Sequence, residues 1–252
     1  MRYEKIVKAR FISRPNRFIA KVDIDGQETV AHVKNTGRCK ELLVPDATVY
    51  LEDFTGNMRS RKLAYSIISV EKVCDDRKML LINMDSQAPN RVVRESLESG
   101  SLFLPEFGEL DLIKSEAVYG DSRMDFYIRD VSGQEGYIEV KGVTLEASGI
   151  ASFPDAPTGR GIKHLNELSG LVKKGYQAYV IFVVQMEGVK SFRPNEERHM
   201  AFAEALRMAD KNGVKVHAYG CKVKKDVLAL DCPIPVCFLY VVFFVLYITF
   251  LL

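Results

Sequence analysis

Ser122-Arg-Met-Asp-Phe-Tyr-Ile-Arg-Asp130 and Tyr137-Ile-Glu-Val-Lys-Gly-Val143 are two alternating runs joined by Val131-Ser-Gly-Gln-Glu-Gly136. Apolar and polar residues at period two, either side of a glycine-bearing turn, predict an antiparallel hairpin. With Gly133 at the centre of the turn, Asp125 faces Lys141 and Tyr127 faces Glu139. Side chains alternate between the faces of a strand. Asp125, Tyr127, Glu139 and Lys141 therefore share one face, and Met124, Phe126, Ile128, Ile138 and Val140 share the other. The apolar face packs, while the polar face displays two carboxylates and an ammonium.

Two carboxylates held close raise each other's pKa unless a cation lies between them, and hard oxygen donors suit Mg²⁺ or Mn²⁺. A lysine two positions along can orient or activate a water for attack on a phosphodiester. Asp125 and Glu139 are thus candidate metal ligands, with Lys141 as their catalytic companion. Glu116, on the preceding strand, is the candidate third acid, and Glu95, on an earlier helix, is its competitor. An amphipathic hairpin with one wet face carries the same residue types, so the spacing alone leaves the structural and the catalytic reading both open.

Downstream, Phe153-Pro-Asp-Ala-Pro-Thr-Gly-Arg-Gly-Ile-Lys-His-Leu165 runs into a helix predicted over 163–174, with Arg160, Lys163 and His164 at its start. Free amides and the positive end of the helix dipole make such a start a phosphate site, with Asp155 or Thr158 as the cap. A buried strand over 179–184, a helix over 195–212 and a last strand over 214–221 follow. Upstream, 91–99 reads as a short helix closed by Gly100, giving the order α-β-β-β-α-β-α-β after a turn-rich beginning at Pro89-Asn90.

Before residue 85 the pattern is short strands. Phe18, Ala20, Val22 and Ile24 alternate, Asp25-Gly26 turns, Thr29 to Val33 returns, and further apolar runs lie at 49–51, 63–70 and 79–82. That spacing predicts a small β-barrel. Residues 2–21 carry seven Lys or Arg against the single acid Glu4, and Arg59, Arg61 and Lys62 form a second cluster. A small barrel with a local basic band is a nucleic-acid platform, although charge clusters of this size also occur simply as solvated faces.

The net charge of +2 signals no polyanion partner by itself, so any basic surface is local. Five cysteines without a C-x-x-C exclude a disulfide framework and a zinc ribbon, and the charged N-terminal region excludes a cleavable secretion signal, so a cytoplasmic location is expected. Residues 236–252 are apolar except Thr249 and hold 6 of the chain's 25 Phe and Tyr. At 1.5 Å per residue a helix of that length would marginally reach across a bilayer core, so contact with a membrane depends on this tail being a genuine anchor. The two prolines at its start and the lack of a following basic residue favour an accidental extension.

Taken together, Arg14-Pro-Asn-Arg-Phe18, His32-Val-Lys-Asn-Thr-Gly-Arg38, Ser122-Arg-Met-Asp-Phe126, Tyr137-Ile-Glu-Val-Lys141, Phe153-Pro-Asp-Ala-Pro-Thr158 with Arg160-Gly and Lys163-His-Leu, and Phe182-Val-Val-Gln185 resemble the sugar fermentation stimulation protein family. The resemblance runs to about Val236. It implies an OB-like β-barrel over 1–85 and a PD-(D/E)XK nuclease-like α/β domain over 86–235, with 236–252 outside it. It further implies DNA binding with little sequence specificity and a regulatory role in sugar (maltose) utilisation. In the nuclease pattern the metal-binding acid and the E-x-K pair fall on Asp125, Glu139 and Lys141, with Glu116 as the additional acid and Gln185 as a neighbour. Arg14, Arg17, Arg38, Arg123, Arg160, Lys163 and His164 are the expected nucleic-acid contacts. An active Mg²⁺-dependent nuclease acting on DNA or RNA is the alternative to a binding-only regulator.

Overall fold

The structure is a computed structural model, and it describes residues 1–238 other than Thr36, Asp75, Asp76 and Asp121. Strands β1 (Ile6–Asn16), β2 (Ile19–Ile24), β3 (Gln27–Val33), β4 (Thr48–Asp53), β5 (Tyr65–Val73) and β6 (Met79–Asn83) form the first sheet. β1 pairs with both β2 and β4, β5 pairs with β4, and a parallel pairing of β3 with β5 through Ala31↔Tyr65 and Val33↔Ile67 closes a five-stranded barrel. β6 continues the sheet from β5. The turn between β2 and β3 places Asp25 and Gly26 at φ of 51° and 86°, the left-handed pair that a tight hairpin demands. Ala20, Val22, Ala31, Val33, Val49, Leu51 and Ile67 fill the interior.

The basic segment near the N-terminus is itself a strand. In β1, Ala9 and Phe11 point inward while Lys8 and Arg10 point to solvent, so its charges mark the outer face of the barrel wall.

The second unit begins with α1 (Ala88–Glu98), which has Pro89 in its first turn and ends before Gly100, whose φ is 69°. It starts three residues earlier than expected because proline fits the first turn of a helix, where no amide bond is lost. Then come β7 (Leu110–Tyr119), β8 (Ser122–Asp130), β9 (Glu135–Val143), β10 (Leu145–Ala147), β11 (Ile150–Phe153), α2 (Gly159–Val172), β12 (Gln177–Val184), β13 (Ser191–Pro194), α3 (Glu196–Lys211), β14 (Lys215–Val223) and β15 (Leu228–Ile234). The main sheet has the order β15-β14-β12-β9-β8-β7, with β12 parallel to β9 and β14. α1 covers one face through Val92, Val93 and Leu97 against Phe126, Ile138, Val140 and Ile181. α2 and α3 cover the other, where Leu165, Leu168, Phe202 and Leu206 meet Val180, Phe182 and Val184.

Three expectations need correction here. β14 is not the last strand: β15 returns antiparallel beside it despite Pro233, which an edge strand tolerates because one side of its ladder is free. The turn-rich stretch before α2 contains β10 and β11, which join β13 in a small separate sheet. The tail does not leave the fold at residue 236: Val236 bridges Phe192, the Cys237 amide donates to the Phe192 carbonyl at 2.8 Å, and Val236 and Phe238 pack on the core. The rest of the expected extension, 239–252, lies outside the described residues. Among the described residues no helix is long and apolar enough to cross a membrane.

Candidate metal centre and nucleic-acid surface

The hairpin of β8 and β9 is organised by Asp130. Its Oδ1 accepts from the Ser132 amide, the Ser132 hydroxyl and the Gln134 amide, and its Oδ2 accepts from the Gly108 amide at 2.9 Å. These donors hold its carboxyl low, at about 2. The turn centres one residue before Gly133, so Tyr127 pairs with Tyr137 and Phe126 with Ile138. The expected register was therefore off by two. An even shift leaves facing unchanged, which is why Tyr127 and Glu139 still lie on the α2 side and Phe126, Ile128, Ile138 and Val140 on the α1 side.

Met124 is the exception and a second correction: it belongs to the core on the α2 side. The alternation breaks at Asp125, where the ladder between β8 and β9 ends beyond Phe126↔Ile138. Asp125 lies in that fork. Its Oδ2 accepts from the Val140 amide at 2.7 Å, occupying a ladder position, and its Oδ1 accepts from Asn90 Nδ2 on α1 at 2.7 Å.

Glu139 is buried at 3% exposure. Its Oε1 accepts from the Lys141 ammonium and the His164 ring Nδ1, whereas its Oε2 is buried with no hydrogen-bond partner among the described residues. Burial alone would raise the pKa of Glu139, but His164 and Lys141 bring it below its ordinary value. Asp125 moves the other way: burial, then the neighbouring Glu139 charge, pushes its carboxyl up. Two adjacent acids are thus driven apart by their surroundings, a pattern typical of chemical sites.

His164 is not an exposed phosphate contact as expected. It is buried at 5% on α2, and Arg160 Nε donates to its Nε2 at 3.4 Å, which fixes the proton on Nδ1 toward Glu139. Thr158, not Asp155, caps α2 by accepting from the Gly161 amide at 3.0 Å. Glu116, expected as the third acid, is exposed and accepts from Arg123 Nη1 at 3.1 Å. Glu95, its competitor, is bonded to the Met1 nitrogen. Among the described residues no three His, Cys, Asp or Glu side chains are gathered as a ligand set. Glu167, one turn beyond His164 on α2, was missed by the sequence reading; it accepts from the Ser122 hydroxyl while its other oxygen is buried with no hydrogen-bond partner among the described residues. Its spacing of three from His164 was the available signal.

Beside the acids, a Cβ on Gly142 would lie 2.6 Å from Gln185 Oε1 and 2.8 Å from Pro89 Cγ, so only glycine fits. Gln185 faces the barrel rather than the carboxylates: its Nε2 donates to Asn83 Oδ1 at 2.9 Å and to the Asp85 carbonyl at 3.1 Å. A cleft of about 310 Å³ opens here, lined by Asn35 and Gly37 of the barrel, Gly142, Thr144, and the Phe153–Thr158 loop. The loop after β3 and the loop before α2, one from each unit, meet across it.

The basic residues divide. Arg17, Arg38, Arg160 and Lys163 are exposed, as is Arg123. Arg14 is spent internally, correcting its assignment as a contact: its guanidinium donates to the carbonyls of Arg17, Asn35, Gly37 and Arg38, clamping the loop after β3.

Comparison with known proteins follows the same two-part division. Residues 12–81 match the SfsA N-terminal OB domain, and residues 87–227 match the sugar fermentation stimulation protein RE domain. The sugar fermentation stimulation protein homolog of Desulfitobacterium hafniense (strain DSM 10664 / DCB-2) is 51% identical over 90% of this chain and 93% of its own. That of Clostridium beijerinckii is 52% identical over 90% and 95%. A solved structure, SfsA of Pyrococcus furiosus in complex with Ca²⁺, superposes with a TM-score of 0.80 at 26% identity, covering 94% of this chain and 97% of that one. With both domain models matched in order and relatives half identical across nine-tenths of the chain, the protein belongs to the sugar fermentation stimulation protein family.

Proposed function

We propose that this protein binds DNA with little sequence preference and hydrolyses phosphodiester bonds with a divalent cation held by Asp125 and Glu139. The observation that carries the reading is Glu139 Oε2: a buried carboxylate oxygen with no hydrogen-bond partner among the described residues, beside Asp125, whose carboxyl is pushed up by burial and then by the Glu139 charge. Leaving such an atom unsatisfied is costly, and a cation removes both the desolvation and the like-charge penalty. Hard oxygen donors of this kind fit Mg²⁺ or Mn²⁺, which use one or two carboxylates and complete their shell with water and substrate phosphate. The Ca²⁺ complex of the Pyrococcus furiosus relative supports the same reading.

When bound, the cation would acidify a water and polarise a phosphoryl oxygen. The chain's own residues do the rest. His164 and Lys141 hold Glu139 Oε1, so Oε2 is the oxygen on offer. Asn90 and the Val140 amide fix both oxygens of Asp125 in the fork. Lys141, half-sheltered next to the cleft, carries the positive charge that can hold a water or a phosphate oxygen near the acids. The exposed Arg17, Arg38, Arg160 and Lys163 supply phosphate contacts without reading bases.

Incubation of the full chain with labelled DNA and RNA of several structures, in Mg²⁺, Mn²⁺ or EDTA, tests the reading. Metal-dependent cleavage abolished by Asp125→Asn supports it, whereas no cleavage of any substrate overturns the catalytic part. A binding-only regulator of sugar utilisation is the second reading, favoured by the engagement of Lys141 with Glu139. Its mark is DNA binding that persists in EDTA and in Asp125→Asn, without turnover. Duplex affinity under either reading falls steeply as salt rises.

A further inference from the structure

Glu139 is buried, yet a chain of hydrogen bonds ties it to the surface. Its Oε1 bonds the His164 ring at Nδ1, and the other ring nitrogen, Nε2, accepts from Arg160 Nε at 3.4 Å. Glu139 and His164 are almost without exposure, whereas Arg160, one turn earlier on α2, is exposed. The guanidinium makes no ion pair with a carboxylate among the described residues, and its two Nη groups take no hydrogen bond there. One edge of Arg160 is therefore engaged with the ring and the other is free.

A neutral imidazole has one N–H and one lone pair. A donor at Nε2 selects the tautomer with its proton on Nδ1, the one able to donate to Glu139 Oε1. The opposite tautomer would set N–H against N–H at one end and a lone pair against the carboxylate at the other. With Oε1 so occupied, Oε2 is the oxygen left for a cation. The same guanidinium stands at the start of α2, where the first-turn amides lack intrahelical partners and the helix end is positive. There is room beside it, since a Cβ on Gly159 would meet nothing within 4 Å. A planar guanidinium carries donors on both edges, so Nε can stay on the ring while the Nη groups take a phosphate.

From this geometry we infer that Arg160 couples nucleic-acid binding to the metal centre. A backbone phosphate seated on its Nη groups fixes the guanidinium, through it the His164 ring, and through the ring the carboxylate offered to the cation. Arg160 and His164 act here as positioning residues. The inference rests on the metal reading above and adds the regulation of that same site. At 3.4 Å the bond from Arg160 is at the long end of the hydrogen-bond range, so a phosphate that stiffens the side chain has something to tighten. Lys163, at the same helix start, lies 3.7 Å from Glu167 Oε1 and has no bond to the His164 ring, which makes it a control of equal charge.

The test is calorimetry of Mn²⁺ binding to the full chain, alone and saturated with a nuclease-resistant phosphorothioate duplex. The duplex should tighten Mn²⁺ by about tenfold, and anisotropy of the labelled duplex with and without Mn²⁺ should return the same factor by reciprocity. Arg160→Lys keeps the charge but cannot serve the ring and a phosphate together, so the factor should fall to about two. His164→Asn, which keeps a donor toward Glu139 but offers Arg160 no ring nitrogen, should still bind Mn²⁺ and lose the coupling. Lys163→Ala should weaken the duplex and leave the factor at about ten. Nitrogen-15 spectra of the four histidines should place the His164 proton on Nδ1 in wild type and divide it between the nitrogens in Arg160→Lys. No coupling in wild type, an equal factor in Arg160→Lys, an equal loss in Lys163→Ala, or a His164 proton on Nε2 overturns the inference while leaving the metal centre in place. Failure of wild type to bind Mn²⁺ with or without duplex overturns the metal reading and this one together. The wild-type comparison needs no variant, and melting curves identify any variant that misfolds.

Discussion

Asp125 sits where two strands part, and its position is fixed by two bonds from outside the candidate catalytic set. Asn90 is the informative one, because it reaches from the first turns of α1 to orient a ligand without being one. Asn90→Ala should therefore weaken Mn²⁺ binding, read by calorimetry, by about 10- to 100-fold, the usual cost of removing an orienting partner. Asp125→Asn should remove the binding altogether. A different residue-scale test concerns Asp130, whose pKa of about 2 lies below its unfolded value because the Ser132 hydroxyl and the amides of Gly108, Gln134 and Ser132 favour the charged form. A depressed folded pKa contributes stability that is fully present above the unfolded pKa and lost as pH falls through the folded one. The melting temperature of wild type should thus exceed that of Asp130→Asn at neutral pH, with the gap closing between about pH 4 and pH 2.

At the scale of elements, α2 is held at its start by Thr158, and it carries both His164 and Arg160 into contact with the site. Thr158→Ala should cost about 1 kcal/mol, lowering the melting temperature by about 2 to 4 °C. Gly142→Ala should do more to the site than to the helix, since the new methyl displaces Gln185 and Pro89 and so presses on α1 near Asn90; a loss of Mn²⁺ affinity is the readout. The hairpin faces were legible because period two survives an even register error, and Asp25-Gly26 announced its turn through residues that accept positive φ. What stayed hidden was set by long-range contact. β1 looked like a basic band because only Ala9 and Phe11 reveal its inward side, and β15 was masked by Pro233. The fork at Asp125 leaves no periodic trace, since it depends on where β8 leaves β9. His164 and Arg14 read as surface cations because their partners, Glu139 and the carbonyls after β3, are distant in sequence.

The whole molecule is tied together by groups that belong to neither unit alone. Gln185 at the end of β12 bonds Asn83 at the end of β6, Lys72 of β5 donates to Glu146 of β10, and one continuous core contains residues from the barrel and from the main sheet. Tyr3 is the sharpest case. Its ring is 2% exposed and packs with Tyr50 and Ile68 of the barrel, its hydroxyl lies between Asn83 and Asp85, and its amide donates to the Asp226 carbonyl in the turn before β15. Burial and then the Asp85 charge hold its phenol well above the ordinary tyrosine value, so it stays a neutral donor. If the two units share one cooperative transition, removing this ring should destabilise both together. Tyr3→Ala should cost about 3 to 5 kcal/mol, as for other large buried aromatics, and lower the melting temperature by about 6 to 20 °C. Tyr3→Phe should cost about 1 to 3 kcal/mol, because it keeps the packing and leaves the Asn83 donor and the Asp85 carboxylate one partner short. Calorimetry is the measurement: a single peak whose calorimetric and van't Hoff enthalpies agree is expected for wild type and for both variants. Separate peaks, with only one moved by Tyr3→Ala, would show that the barrel and the α/β unit unfold independently and that the cleft between them can open without unfolding either.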